Sequence, residues 1–151
     1  MGSLGHAVLE QLALNIWQGD IFEWLEKLRK EFGVSKTDAA GLSERIEEVR
    51  RKMVTATEGM KRLRPELPFV LHQDGKLIDG TIDLLCETRT GYALFDYKFT
   101  EAPDEHVIAV YRSQMELYAR AANRFYPSAA DASVHLVVVS EKGPRMIPIE
   151  I

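Results

Sequence analysis

The sequence predicts an α/β (α+β) domain, a mixed sheet of about five strands flanked by helices on both faces, with a helical N-terminal segment. Three observations predict it. Apolar residues recur every three or four positions through roughly the first sixty residues. The period then drops to two across residues 66–99. One more helical stretch and two further apolar runs close the chain. At 151 residues with 46% hydrophobic content, the chain can build one core, and it reads as a single domain over residues 1–151.

Residues 3–31 read as helix, broken near Gln18–Gly19–Asp20, where Gly19 weakens the first segment and Asp20 can cap the second. Leu4, Val8, Leu12 and Ile16 form the apolar stripe, continued by Phe22, Leu25, Leu28 and Phe32. A longer helix follows GVSKTD, striped by Leu42, Ile46, Val49, Met53, Ala56, Met60 and Leu63. Pro65 is expected to stop it, because proline disfavours helical geometry in the residue before it. ELPFVLHQ, LIDGTIDLLCE and YALFDYKF read as three strands of an antiparallel meander, joined by the turns DGK and TRTG. EHVIAVYRSQMELYARAANRFY returns to helical spacing, ASVHLVVVS is an apolar strand, and KGP turns into a last strand, MIPIEI.

Composition narrows the function. A formal net charge of -4 argues against a surface built throughout to neutralise phosphates. Arg50, Arg51, Lys52, Lys61, Arg62 and Arg64 do concentrate basic charge, a pattern typical of a solvated helix face. The single cysteine, Cys86, excludes an internal disulfide framework, a Cys-based structural zinc site and a four-cysteine iron–sulfur cluster within this chain. Any metal must be held mainly by oxygen and imidazole. No signal-peptide pattern and no apolar run of about 18 residues is present, which points to a soluble, cytoplasmic protein with no membrane partner.

The chemistry lies in charges placed inside two strands that otherwise read as buried. Residues two apart on a strand face the same way, so Asp96 and Lys98 project with Tyr92 and Leu94 while Tyr97 points opposite. The short TRTG connection should bring Asp83 of the neighbouring strand close to Asp96. Burying two carboxylates and an ammonium is costly unless they neutralise one another or bind something. Two readings fit: a structural Asp–Lys salt bridge at the sheet edge, or a site for a hard cation such as Mg²⁺, with a backbone carbonyl between Asp96 and Lys98 adding an oxygen. In the second, the lysine stabilises the anionic transition state of phosphodiester hydrolysis or helps deprotonate the attacking water.

GTIDLL followed by GYALFDYKFT resembles the G-x-[IV]-D … [LIV]-x-D-Y-K-[ST] signature of PD-(D/E)XK nucleases, specifically the nuclease domain of RecB/AddA-type helicase–nucleases. YRSQMELYARA is similar to the Y-x-x-Q-x-x-x-Y motif of that branch, and its spacing puts Tyr111, Gln114 and Tyr118 on one helix face. GSLGHAVLEQL is similar to the G-x-x-x-H-x-x-L-E segment that opens these domains, and RPELPF to their E-x-P-F element. Phe99 stands where the family carries a small residue, and the EAPDEH that follows is acidic.

The resemblance implies a restriction-endonuclease-like fold and metal-dependent hydrolysis of DNA by an exonuclease-type enzyme using Mg²⁺ or Mn²⁺. Carried over residue by residue, it implies that His6, Asp83, Asp96 and the main-chain carbonyl of Tyr97 hold the cation, with Glu66 a further candidate. Lys98 becomes the catalytic lysine, acting with Asp83 and Asp96. Gln114 and Tyr118, together with Tyr111, are expected to position the strand or brace the lysine and acids. The implied partners are single-stranded or end-unwound DNA and helicase motor domains, in DNA end processing and recombinational repair. Because MGS precedes the histidine motif directly, the chain is expected to be a domain excised from a longer helicase–nuclease. Two other readings stand beside this one: a catalytically silent nucleic-acid-binding domain of the same fold, and a stand-alone structure-specific endonuclease. His72, His106 and His135 match no motif and read as surface or core residues, and Asp79 as part of the surface or turn.

Overall fold

A computed structural model describes residues 2–151. In chain order these form α1 (Gly2–Leu14), α2 (Ile21–Glu31), α3 (Leu42–Ala56), β1 (Arg62–Gln73), β2 (Lys76–Glu87), β3 (Gly91–Phe99), α4 (Asp104–Phe125), β4 (Asp131–Ser140) and β5 (Gly143–Pro148). The strands join in sequence order into one five-stranded sheet. β3 and β4 run parallel, with α4 as the crossover between them, and the other neighbouring pairs are antiparallel. No helix among the described residues is long and apolar enough to cross a membrane.

Each face of the sheet carries its own apolar layer. Leu4, Val8, Leu12, Ile46 and Val49 of α1 and α3 pack on Leu84, Phe95 and Val137. On the other face, Met115, Ala119 and Ala122 of α4 pack on Leu85, Leu94, Leu136 and Val138. Successive residues of β3 and β4 therefore enter opposite layers, which is why these strands are apolar throughout rather than alternating.

The N-terminal helices depart from their periodicity at the ends. α1 stops at Leu14, and Ile16 and Trp17 take left-handed backbone (φ 53° and 64°). That bend buries Trp17, whose Nε1 donates to Thr57 Oγ1 at 2.9 Å, and throws Ile16 out to 70% exposure, off the stripe it was expected to join. Asp20 caps α2 as expected by accepting from Glu23 N. Phe22 and Phe32 are exposed because α2 lays only Ile21, Leu25 and Leu28 on the core. α3 ends at Ala56 instead of running to Pro65: the Thr57 hydroxyl donates back to the Met53 carbonyl, and Gly59 then turns in the left-handed region (φ 77°). Met60 and Leu63 still touch the α-side core, from a loop and a strand. β1 accordingly begins at Arg62, four residues before the change of period at Glu66, and β5 begins at Gly143, ahead of the expected MIPIEI.

One irregularity opens a cleft in the sheet. Only Leu84–Glu87 of β2 pairs with β3, although β1 and β2 continue as a long hairpin closed by left-handed Asp74 and Gly75. Residues an even number apart should share a face, yet Leu63 and Leu84 belong to the α1–α3 layer while Leu67 and Ile82 belong to the α4 layer. Both strands switch faces at Glu66 and Asp83. Glu66 makes the switch with φ 48°, a left-handed conformation that costs a non-glycine residue about 1–3 kcal/mol. β2 thus parts from β3 at Asp83, leaving a cleft between the two strands.

Candidate active site

α1 enters this cleft from one face of the sheet. His6 lies in its second turn, with Nδ1 2.7 Å from the Gly2 carbonyl and Nε2 2.9 Å from the Tyr97 carbonyl and 3.1 Å from Asp83 Oδ2. Both ring nitrogens face acceptors, the arrangement of an imidazolium. Burial lowers the pKa of His6, but the hydrogen bond and charge of Asp83, aided by the Gly2 carbonyl and Asp96, outweigh it and hold the ring at about 9. The ring is also walled by Tyr97, at 5.9 Å between centroids, and Phe99, at 5.4 Å. Phe99 fits there because Gly5 has no side chain: a Cβ at Gly5 would collide with its ring. The large residue that departs from the motif at position 99 is matched by a glycine on α1.

β2 and β3 bring the acids. Asp83 Oδ2 accepts the Tyr97 N–H at 2.9 Å, a side chain replacing the ladder bond lost where the strands part. Extending the Leu84–Phe95 register by one step sets Asp83 opposite Asp96, the proximity expected from the short TRTG turn. Asp96 is only 2% exposed. Burial and the neighbouring Asp83 charge push its pKa up to about 7 against the opposing pull of Lys98. Lys98 Nζ sits 2.9 Å from Asp96 Oδ2 and forms an ion pair with it.

α4 closes the cleft from the opposite face. Lys98 Nζ donates to Gln114 Oε1 at 2.9 Å and lies 4.2 Å from the centroid of the Tyr111 ring, a cation–π contact. Tyr118, buried further along the same helix face, meets Phe69 edge-on at 5.6 Å. Its pKa is pushed up to about 12 by burial and then by the charges of Asp96, Asp83 and Glu66. Of the three motif residues of α4, Tyr111 and Gln114 both meet Lys98, while Tyr118 packs on Phe69. Glu66 joins the site too, in a way strand phase could not determine, because the left-handed residue breaks that phase. Burial raises its pKa to about 7, with Asp83 and Glu10 adding and His6 opposing.

Some participants were missed by sequence reasoning. Glu10 lies close enough to act on Glu66, and its place in the L-E pair of the histidine segment was the available signal. The glycine of GTIDLL, Gly80, has a packing role: a Cβ there would come within 2.7 Å of the Phe69 ring, which lies across β2. His72 and His106 are exposed, His135 stacks on Phe95 at 5.0 Å, and Asp79 is exposed on the outer hairpin. Arg50 and Arg51 both pair with Glu47 on a solvated face of α3.

The cleft has the donors for a hard cation without being a finished cage. Among the described residues no three His, Cys, Asp or Glu side chains stand grouped so as to hold a metal ion. What converges is one imidazole, one carboxylate and one backbone carbonyl, beside a second, buried carboxyl group paired with Lys98. Oxygen and imidazole donors of this kind fit a divalent ion such as Mg²⁺ or Mn²⁺.

A protein-family model described as the PD-(D/E)XK nuclease superfamily matches residues 1–146. The chain belongs to the PD-(D/E)XK nuclease superfamily. Its mixed five-stranded sheet between helices is consistent with the restriction-endonuclease-like fold of that superfamily. Membership implies a nuclease, a hydrolase that binds nucleic acid, and such enzymes typically use divalent metal ions. No curated protein matches the chain. Among solved structures, the crystal structure of SSO0001 is similar at 14% identity and a TM-score of 0.46, over 97% of this chain and 65% of that one. This chain spans about 65% of that protein's length, and a likeness so distant carries no argument.

Proposed function

We propose that this domain is a Mg²⁺- or Mn²⁺-dependent deoxyribonuclease of the RecB/AddA-like branch. It would cleave single-stranded or end-unwound DNA in the cytoplasm by exonuclease-type hydrolysis, as the nuclease part of a longer helicase–nuclease in DNA end processing and recombinational repair. The observation that carries the reading is the convergence in one cleft of the His6 imidazole, the Asp83 carboxylate and the Tyr97 carbonyl beside the buried Asp96–Lys98 pair, whose Nζ is 2.9 Å from Asp96 Oδ2. A plain structural ion pair needs only Asp96 and Lys98; a second carboxylate, an imidazole and a carbonyl gathered beside them are costly to bury unless something bound in the cleft compensates them.

His6, Asp83, Asp96 and the Tyr97 carbonyl would hold the cation, with Glu66 at the margin, and His6 Nε2 must lose its proton to take part. When bound, the ion supplies a more acidic water and neutralises phosphate charge. The chain's own groups supply orientation. Gln114 Oε1 and the Tyr111 ring aim Lys98 Nζ at the phosphate, where an ammonium favours the charge that develops during hydrolysis. Contact between the glutamine of the Q-x-x-x-Y element and this lysine supports the RecB/AddA-like assignment. Tyr118, beyond Gln114, lines the approach of the strand.

The test is cleavage of end-labelled single-stranded DNA with Mg²⁺ or Mn²⁺. Wild type should cleave, and Lys98→Ala, at matched circular dichroism, should be slower by about 10²–10³-fold. Equal rates in the two proteins, or no cleavage by wild type at high enzyme and low salt, would sink the proposal.

A further inference from the structure

The β1–β2 hairpin and the C-terminal half of α4 enclose a groove of about 650 Å³ lined by Phe69, Leu71, Gly80, Ala121, Arg124 and Phe125. Its size suits a small organic group, and its walls are apolar and aromatic with few polar atoms. Phe69 belongs to both the groove and the catalytic cleft: its ring lies over Gly80 on one strand and meets Tyr118 on α4, and Tyr118 senses the charges of Asp96 and Asp83. From Gln114 to Phe125 the helix covers about three turns, roughly 16 Å. The groove therefore lies within a few nucleotides of Lys98 along an extended strand.

Charge around the groove is basic, on a chain that is acidic overall. Arg120 and Arg124 are exposed and, among the described residues, neither is in an ion pair. Arg120 Nη1 donates to Gln73 Oε1, which ties it to the hairpin. Arg64 lies over the Phe125 ring at 5.7 Å and donates to the Tyr126 hydroxyl. Of these three guanidinium groups Arg124 lines the groove, together with one carboxylate, Asp79, while Arg120 and Arg64 flank it. Phe125 is 39% exposed, so part of its ring is open to a ligand.

Resting on the nuclease reading, we infer that this groove is a base-binding subsite for single-stranded DNA running to or from the catalytic cleft. Bases stack on the part-exposed Phe125 ring above a floor that includes the buried Phe69, and Arg120 and Arg124 hold the flanking phosphates. Aromatic faces with nearby arginines are how single strands are gripped without regard to sequence, since each base offers a π-face. A duplex keeps its bases stacked inside and has none to place in a groove of this size. The subsite gives an acidic domain a local hold on DNA, and it sets a minimum strand length for tight binding.

The experiment is fluorescence anisotropy of a labelled oligothymidylate about twenty nucleotides long, in a chelator, so that no cleavage occurs. Phe125→Ala should weaken binding about five-fold or more, and Phe125→Trp should restore it. Arg120→Ala with Arg124→Ala should flatten the dependence of log affinity on log salt by about 1.4. Variants whose binding and salt slope stay at wild-type values, or a duplex of equal length bound as tightly through the same residues, overturn the subsite. Capture of a protein instead of the oligonucleotide by the same face overturns it as well. Cleavage lost in Lys98→Ala with binding indifferent to the groove variants defeats the subsite alone. Groove-dependent binding by a wild type that never cleaves defeats the nuclease reading.

Discussion

Two clusters of acid and base in this domain have nearly the same composition and opposite settings. On α3, Glu47 pairs with Arg50 and Arg51, and the Arg51 side chain is 74% exposed. In the cleft, Asp96 faces Lys98, with exposures of 2% and 17%. A pair of unit charges about 4 Å apart is worth about 1 kcal/mol in water and about 4 kcal/mol near a protein surface of effective dielectric 20. The α3 charges lie at the surface, where water can meet them, although Arg50 is also tied to the Gly19 carbonyl. The cleft charges are fixed by neighbours that a plain ion pair does not need: Gln114 and Tyr111 on the lysine, Asp83 beside the acid. What separates the two clusters is burial and the number of groups that converge on the buried one.

The sharpest way to break that contrast is to remove one charge from each cluster. Asp83→Asn keeps an oxygen to accept the Tyr97 N–H, so the fold should persist, yet it removes negative charge from the cleft. Metal-dependent cleavage of single-stranded DNA should fall by about 10²–10³-fold. Glu47→Gln should leave the rate at the wild-type value. An Asp83→Asn enzyme that cleaves normally would return the cleft charges to a purely structural role.

A smaller effect tests how the cleft is held open. Gly5→Ala drives a methyl group into the Phe99 ring, which in turn walls His6. Overpacking of this kind should cost about 1–3 kcal/mol in denaturant unfolding. Adding Phe99→Ala should recover part of that loss, since the clash disappears. Additive losses in the double variant would show that Gly5 and Phe99 do not act as a pair.

A further effect appears in pH. Asp96 and Glu66, each raised to about 7, keep their protons in the folded chain at pH values where the unfolded chain has released them. Stability therefore falls as pH climbs from about 4 towards 7. His6, raised from 6.5 to about 9, adds stability that is complete below 6.5 and is lost as pH rises through about 9. All three run in one direction, so melting temperature in a chelator should decline steadily from pH 5 to 9. Mg²⁺ should flatten the decline by compensating the cleft's negative charge. A melting temperature that rises with pH in the chelator would contradict the charge assignments.

The same contrast explains what the sequence made legible. Asp96, Lys98, Tyr111 and Gln114 could be read because strand period two and helix spacing fix which side chains share a face, and Asp83 because a short turn joins its strand to the next; the structure brings these together. His6 depended on motif resemblance, since its bond to the Tyr97 carbonyl crosses 91 positions of chain. The end of α3 was not legible: Thr57 is held by Trp17, 40 residues away, and no local stripe encodes that contact. Nor was the face switch at Glu66 and Asp83, which depends on one left-handed residue that periodicity treats as ordinary.

The smallest expected effect is on the α3 side of the comparison. The Glu47–Arg50 pair is an i,i+3 contact, and Arg50 Nη1 also donates to the Gly19 carbonyl at 2.8 Å. That second bond crosses from α3 to the bend after α1, so Arg50→Ala loses a link that Glu47→Ala retains. Arg50→Ala should cost about 1 kcal/mol and Glu47→Ala about 0.5 kcal/mol. The coupling between them in a double-mutant cycle should be about 0.3–0.5 kcal/mol and should shrink with added salt, because exposed charges are screened over about 10 Å at 0.1 M. DNA cleavage should not change in any of the three variants. A coupling above about 2 kcal/mol, or one indifferent to salt, would mean that the α3 charges are held as tightly as those of the cleft, and burial would no longer separate the two clusters.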